Sequence, residues 1–125
     1  MIKEHIRQIW KRYFLGYTMK LKYLKKDEII SELRTHLETF GKYKIKKIGL
    51  FGSYLRENQK KDSDIDILIE FDENAFDKNF TGYFENYLAL KELLEEIFGR
   101  KIDLITVEMI SPYIKPYILK EVEYV

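Results

Sequence analysis

The sequence predicts an α+β domain, a small mixed β-sheet with helices packed on one face. Three observations carry that expectation. Apolar residues alternate with polar ones over 64–71 and fill short runs at 45–51 and 101–106, the patterns of strands. Around these runs, apolar residues recur at the three- and four-residue spacing of helices. The order is helix, strand, strand, helix, strand, helix. The 125 residues suffice for one core between two layers and are too few for a second substrate-binding domain.

In chain order, residues 2–17 read as an amphipathic helix, with Ile2, Ile6, Ile9 and Tyr13 in register and Trp10, Phe14 and Tyr17 beside them. Met19 offers a second start. Residues 1–18 are therefore expected to be an N-terminal amphipathic extension and residues 19–125 the domain proper. Asp27 is expected to cap the next helix. Ile30, Leu33, Leu37 and Phe40 mark its buried stripe and Gly41 its end. The strand at 45–51 stops at Gly52-Ser53, before a helical turn from Tyr54 and a polar loop. At 64–71, Ile65, Ile67, Ile69 and Phe71 alternate with Asp64, Asp66, Leu68 and Glu70. Residues 72–82 read as a loop. Tyr83, Tyr87, Leu90, Leu94 and Ile97 trace a helix closed by Gly99, and 101–106 form a third strand. Ser111-Pro112 has the look of an N-cap followed by proline at the first helical position. Pro116 would disturb that last helix if it lay inside it.

Composition narrows the function classes. Charged residues at 34% against 46% hydrophobic describe a globular chain, not a disordered one. No apolar run is long enough to span a bilayer, and the basic N-terminus lacks the apolar stretch of a secretory signal. With no cysteine, disulfides and thiolate metal sites are excluded. The cytoplasm is the simplest location, with no membrane partner. The net charge of +1 conceals an asymmetry, because residues 1–26 hold eight basic residues against Glu4, net +7, leaving −6 for the rest. A solvated helix face accounts for the basic arm better than a nucleic-acid partner does. Homo-oligomerisation is left open.

The acidic residues carry the chemistry. Asp64 and Asp66, two apart on a strand, leave the sheet on one face, while Ile65 and Ile67 point into the core. Side-by-side carboxylates repel, and a cation resolves the conflict; oxygen ligands select hard ions such as Mg2+ or Mn2+. Asp103 lies between Ile102 and Leu104 in another strand, a costly place unless it is paired or metal-bound. If the third strand lies beside the second, the three carboxylates can hold two ions roughly 3.5–4 Å apart, as in two-metal phosphoryl transfer. Gly52 allows the backbone to approach a phosphate closely, Ser53 adds a donor, and the turn that follows directs free N–H groups at the same place. Arg56, one turn on, could reach the phosphates or pair with an acidic residue. Taken singly, each of these features is ordinary. The combination is specific: a strand, Gly-Ser, ten residues, Asp-Ile-Asp opening an apolar strand, and a third aspartate within another strand. His5 and His36 are isolated, and neither a Walker lysine motif nor a Gly-x-Gly-x-x-Gly run is present.

These residues resemble the minimal nucleotidyltransferase family of the DNA polymerase beta superfamily. The resemblance rests on Ile48-Gly-Leu-Phe-Gly-Ser-Tyr-Leu-Arg56 followed by Asp62-Ser-Asp-Ile-Asp-Ile-Leu-Ile-Glu-Phe71. Arg100-Lys-Ile-Asp-Leu-Ile-Thr106 is similar to the family's third-carboxylate strand, and Ser111–Glu121 to its usual ending. It covers about residues 20–125. Where the family commonly has Ala-Arg-Gly, this chain has Leu55-Arg56-Glu57. The resemblance implies the nucleotidyltransferase fold and two metal ions, Mg2+ or Mn2+, on Asp64, Asp66 and Asp103. ATP would be the substrate, held at Gly52, Ser53 and Arg56. It further implies an antitoxin of the HEPN–MNT type, transferring AMP from ATP to a tyrosine of a HEPN-domain ribonuclease toxin encoded alongside. Two alternatives stand beside it: transfer to an RNA end or a small-molecule hydroxyl, and a non-catalytic antitoxin that works by binding.

Overall fold

The computed structural model describes residues 24–125. The helix expected over 2–17 and the boundary expected at Met19 lie outside the described residues.

Four strands form one mixed sheet: β1 (Ile45–Phe51), β2 (Ile65–Phe71), β3 (Ile102–Thr106) and β4 (Glu123–Tyr124), in the order β3-β2-β1-β4. β1 runs antiparallel to β2 and to β4, while β2 and β3 are parallel. A parallel pair needs a crossover, and the sixteen-residue helix α4 (Tyr83–Phe98) provides it. Gly99 ends α4 in the left-handed conformation at φ 60°, so the chain turns back toward the sheet. The remaining helices are α1 (Lys26–Thr35), α2 (Leu37–Gly41), the single turn α3 (Gly52–Leu55) and α5 (Lys115–Glu121).

The strand alternation does what the sequence implies. Ile65, Ile67 and Ile69 are fully buried on one face of β2, against Leu33, Phe40, Leu90 and Leu94. Truncating such a side chain to alanine typically costs about 2–5 kcal/mol, so the large core holds β2 firmly from behind. On the other face Leu68 is also fully buried, in a smaller cluster with Phe51 and Ile110, flanked by Ile118 and Val122. The C-terminal segment thus covers part of the sheet's second face. β4, too short to show a pattern in sequence, pairs with β1 at Gly49, where a Cβ would meet the Glu123 carbonyl at 2.8 Å.

Three expectations are corrected. The single helix expected from Asp27 to Gly41 is divided at His36, so α2 starts in a new register; Leu37 is 41% exposed and Ile29 takes its place in the core. Asp27 lies in the first turn of α1, and Lys25 occupies the cap position. The last helix starts at Lys115 rather than after Ser111. The backbone amides of Ile114 and Lys115 donate to the Ser111 carbonyl, which makes 111–114 a turn. Pro116 is then in the first turn, where a missing N–H costs nothing.

Candidate active site

Register brings the acids together. In the parallel β2–β3 pair Asp66 stands opposite Asp103, and in the antiparallel β1–β2 pair it stands opposite Phe51, the residue before Gly52. One strand position therefore meets both the third aspartate and the Gly-Ser turn. Asp64 lies just before β2 and bears on the Asp66 charge, and the Ser53 backbone N–H donates to the Asp66 carboxyl.

Gly52 is buried and sits at φ 76°, a conformation other residues adopt only under strain. The reason is visible in the packing. A Cβ on Gly52 would stand 2.0 Å from Oδ2 of Asp66. The glycine leaves room for the carboxylate and lets the chain fold from β1 directly into α3.

Electrostatics mark Asp66 as the strained member. Burial disfavours its charge, the Asp103 charge and a hydrogen bond to the Asp103 carboxyl add to this, and Asp64 adds more. Together they push its pKa up to about 6, against the opposing effect of the Ser53 amide. A cation set between Asp66 and Asp103 would relieve the charge repulsion that raises Asp66. As the side chains stand, no three of the described histidine, cysteine, aspartate and glutamate groups form a ready metal cage. The donor set nonetheless fits a hard divalent ion: the donors are oxygens only, and their charges repel one another.

Arg56 pairs with an acidic residue. Its Nη1 donates to Oε1 of Glu121 at 2.6 Å, tying the end of α3 to α5. Glu121 was not singled out by the sequence, and no local signal could have done so, because the two are 65 positions apart. Tyr87 was legible only as a helix-face residue. Its hydroxyl donates to the Leu104 carbonyl at 2.5 Å, fixing β3 one residue beyond Asp103. Burial first, then the Asp103 charge and then Tyr83, raise the Tyr87 pKa. Glu57, at the position where the resembled family has glycine, has φ 59°.

Comparison with known proteins follows the same outline. A protein of Methanocaldococcus jannaschii named for protein adenylyltransferase activity is 48% identical over 101 residues, 79% of this chain and 96% of its own length. The protein adenylyltransferase MntA of Thermococcus cleftensis is 35% identical over 100 residues, 79% of this chain and 94% of its own length. Among solved structures, a minimal nucleotidyltransferase has a similar fold, with TM-score 0.66 and 22% identity over 82% of this chain and 97% of the other. A toxin-antitoxin structure with AMP-PNP has TM-score 0.51 and 24% identity over 81% and 72%. Residues 30–125 match the family described as Nucleotidyltransferase domain, a span that takes in all four strands and every acid of the cluster, and the chain belongs to that family.

Proposed function

We propose that this chain is an antitoxin that transfers AMP from ATP to a tyrosine hydroxyl of a partner HEPN-domain ribonuclease toxin, releasing pyrophosphate. The observation that carries the reading is the register that sets Asp66 against Asp103, next to the Ser53 amide and the Gly52 gap. The names of its relatives support a protein as acceptor, and the similarly folded toxin-antitoxin structure with AMP-PNP supports a toxin partner and an adenine nucleotide.

Asp64, Asp66 and Asp103 would hold two divalent ions, Mg2+ or Mn2+, which neutralise triphosphate charge and favour the ionised acceptor oxygen. Gly52 and Ser53 receive the β- and γ-phosphates. Arg56, beside them, adds positive charge, with Glu121 fixing where its guanidinium stands. The tyrosine oxygen attacks the α-phosphorus in line. The new O–P bond forms as the bond to the β-phosphate oxygen breaks, and pyrophosphate leaves. Asp103, the exposed member of the pair, would take the phenolic proton, its exposure leaving it accessible to an incoming hydroxyl. Positioning and charge neutralisation supply most of the acceleration.

The test is to incubate the protein with α-labelled ATP, Mg2+, RNA and the product of the adjacent reading frame. Label on the protein partner is the expected result. Label on RNA transfers the reading to a nucleic-acid acceptor, and label on neither leaves an antitoxin that acts by binding.

A further inference from the structure

The second face of the sheet holds more than the acids. Asp66, Leu68 and Phe51 share it, and Ile110, Ile118 and Val122 pack on Leu68 and Phe51. The segment from Ile110 to Val122 is therefore a wall standing directly beside the carboxylates. The inner side of that wall is covered. Its outer side exposes Tyr113 at 88%, Ile114 at 52% and Tyr117 at 75%, and Met109, just before the wall, is 58% exposed. Ile114 caps α5 and Tyr117 follows three positions on in its first turn, so these two share a helix face, and Tyr113 directly precedes them in the turn at 111–114. Exposed contiguous apolar patches on a small domain mark interaction sites, and tyrosine and methionine are enriched in interface cores. The charges on α5 are also one-sided: Lys115 and Lys120 remain after Glu121 has been paired with Arg56.

We propose that this patch is the docking surface for the folded acceptor protein, an inference that rests on the protein-acceptor reading above. The occupant presents an apolar concavity for Tyr113, Ile114 and Tyr117, rimmed by acidic side chains facing Lys115 and Lys120. Two arguments select it over a surface elsewhere. It stands on the sheet face that bears the acids, so a protein seated there can deliver a hydroxyl to them. Another exposed apolar pair, Phe84 at 64% and Leu88 at 46%, belongs to α4, which packs on the opposite face of the sheet. The Arg56–Glu121 pair also links this wall to the Gly-Ser turn.

The experiment measures AMP transfer by the full chain to two acceptors, the product of the adjacent reading frame and N-acetyl-tyrosinamide, which needs no docking. The double variant Tyr113→Ser/Tyr117→Ser is expected to raise the KM for the protein acceptor about tenfold or more, the loss expected of two anchor residues. Its KM for ATP, its melting temperature and its rate on the small acceptor should stay at wild-type values. Phe84→Ser/Leu88→Ser should leave the protein-acceptor KM unchanged, and Lys120→Glu should raise it most at low salt. A double tyrosine variant with the wild-type protein-acceptor KM overturns the proposal. So does wild-type self-association in sedimentation that the same variant abolishes, which would make the patch a homodimer surface. If wild-type protein labels no protein at all, the acceptor reading fails and the docking surface with it; labelling that is unchanged in the variant refutes the surface alone.

Discussion

Gly52 and Asp66 occupy one space between them: the hydrogen that glycine carries in place of a Cβ points at the aspartate's Oδ2, and a methyl there would lie 2.0 Å from it. The strand end and the acid are thus mutually dependent. The Gly-Ser turn of this chain is a clearance for the carboxylate.

Replacing Gly52 by alanine should therefore cost twice. A left-handed alanine is strained by about 1–2 kcal/mol, and the clash must turn Asp66 away from Asp103. Urea unfolding is expected to show a loss of at least that size, with nucleotidyl transfer falling roughly a hundredfold or more, as for loss of one preorganised electrostatic group. A variant with wild-type stability would show that the turn relaxes freely.

Asp66 makes the metal-free protein sensitive to pH. Unfolded, its carboxyl ionises near the ordinary 3.8; folded, near 6. Between those values the folded state binds more protons than the unfolded one, so stability declines as the pH rises through that window. Asp66→Asn removes the dependence. In EDTA its melting temperature should be level across the window and above wild type at pH 7, while transfer is lost. Mg2+ should stabilise wild type more at pH 7 than at pH 5, because the ion takes the proton's place. Thermal melts at the two pH values, with and without Mg2+, check both statements.

Glu57 adopts φ 59° without being glycine. Its amide donates to the Tyr54 carbonyl at a long 3.4 Å, so the turn gains little in return. Glu57→Gly should stabilise the chain by about 0.5–1 kcal/mol, the left-handed penalty less glycine's extra unfolded-state entropy. Chemical denaturation would read the gain. A loss of stability would mean that the glutamate side chain compensates its own backbone.

Arg56→Gln leaves Glu121 without its guanidinium partner and removes a cation beside the Gly-Ser turn. Because the arginine is half exposed, the stability cost should stay within about 1 kcal/mol. A severalfold rise in the KM for ATP with an unchanged melting temperature would assign Arg56 to the nucleotide. Unchanged ATP kinetics would leave it as a clasp for α5.

The sequence reading succeeded where a residue's partner is implied by periodicity. β1 was read with its full bounds, and β2 and β3 to within one residue, because alternation fixes which side chains face the core. The meeting of Asp66 and Asp103 followed once β3 was placed beside β2. It failed where long-range contacts choose the local form. Ser111-Pro112 is a good local signal for the start of α5, although the Ser111 carbonyl closes a turn and the helix begins at Lys115, with Pro116 in its first turn. Leu37 fitted the helical stripe, but the break at His36 rotated it outward. β4 exists because Gly49 admits a neighbouring backbone, and two residues carry no period by which to find it.

The most direct test of the account is the mass and the activity of the partner toxin after incubation with ATP, Mg2+ and either wild type or Asp64→Asn. With wild type, a tyrosine of the toxin should gain the mass of AMP and its ribonuclease activity should disappear, since a bulky anion beside the cleavage site repels RNA phosphates. With Asp64→Asn, whose circular dichroism and melting temperature should match wild type, neither change should occur. Full neutralisation by the variant at equal stoichiometry, with no added mass, would contradict the enzymatic account and leave binding alone as the basis of antitoxicity.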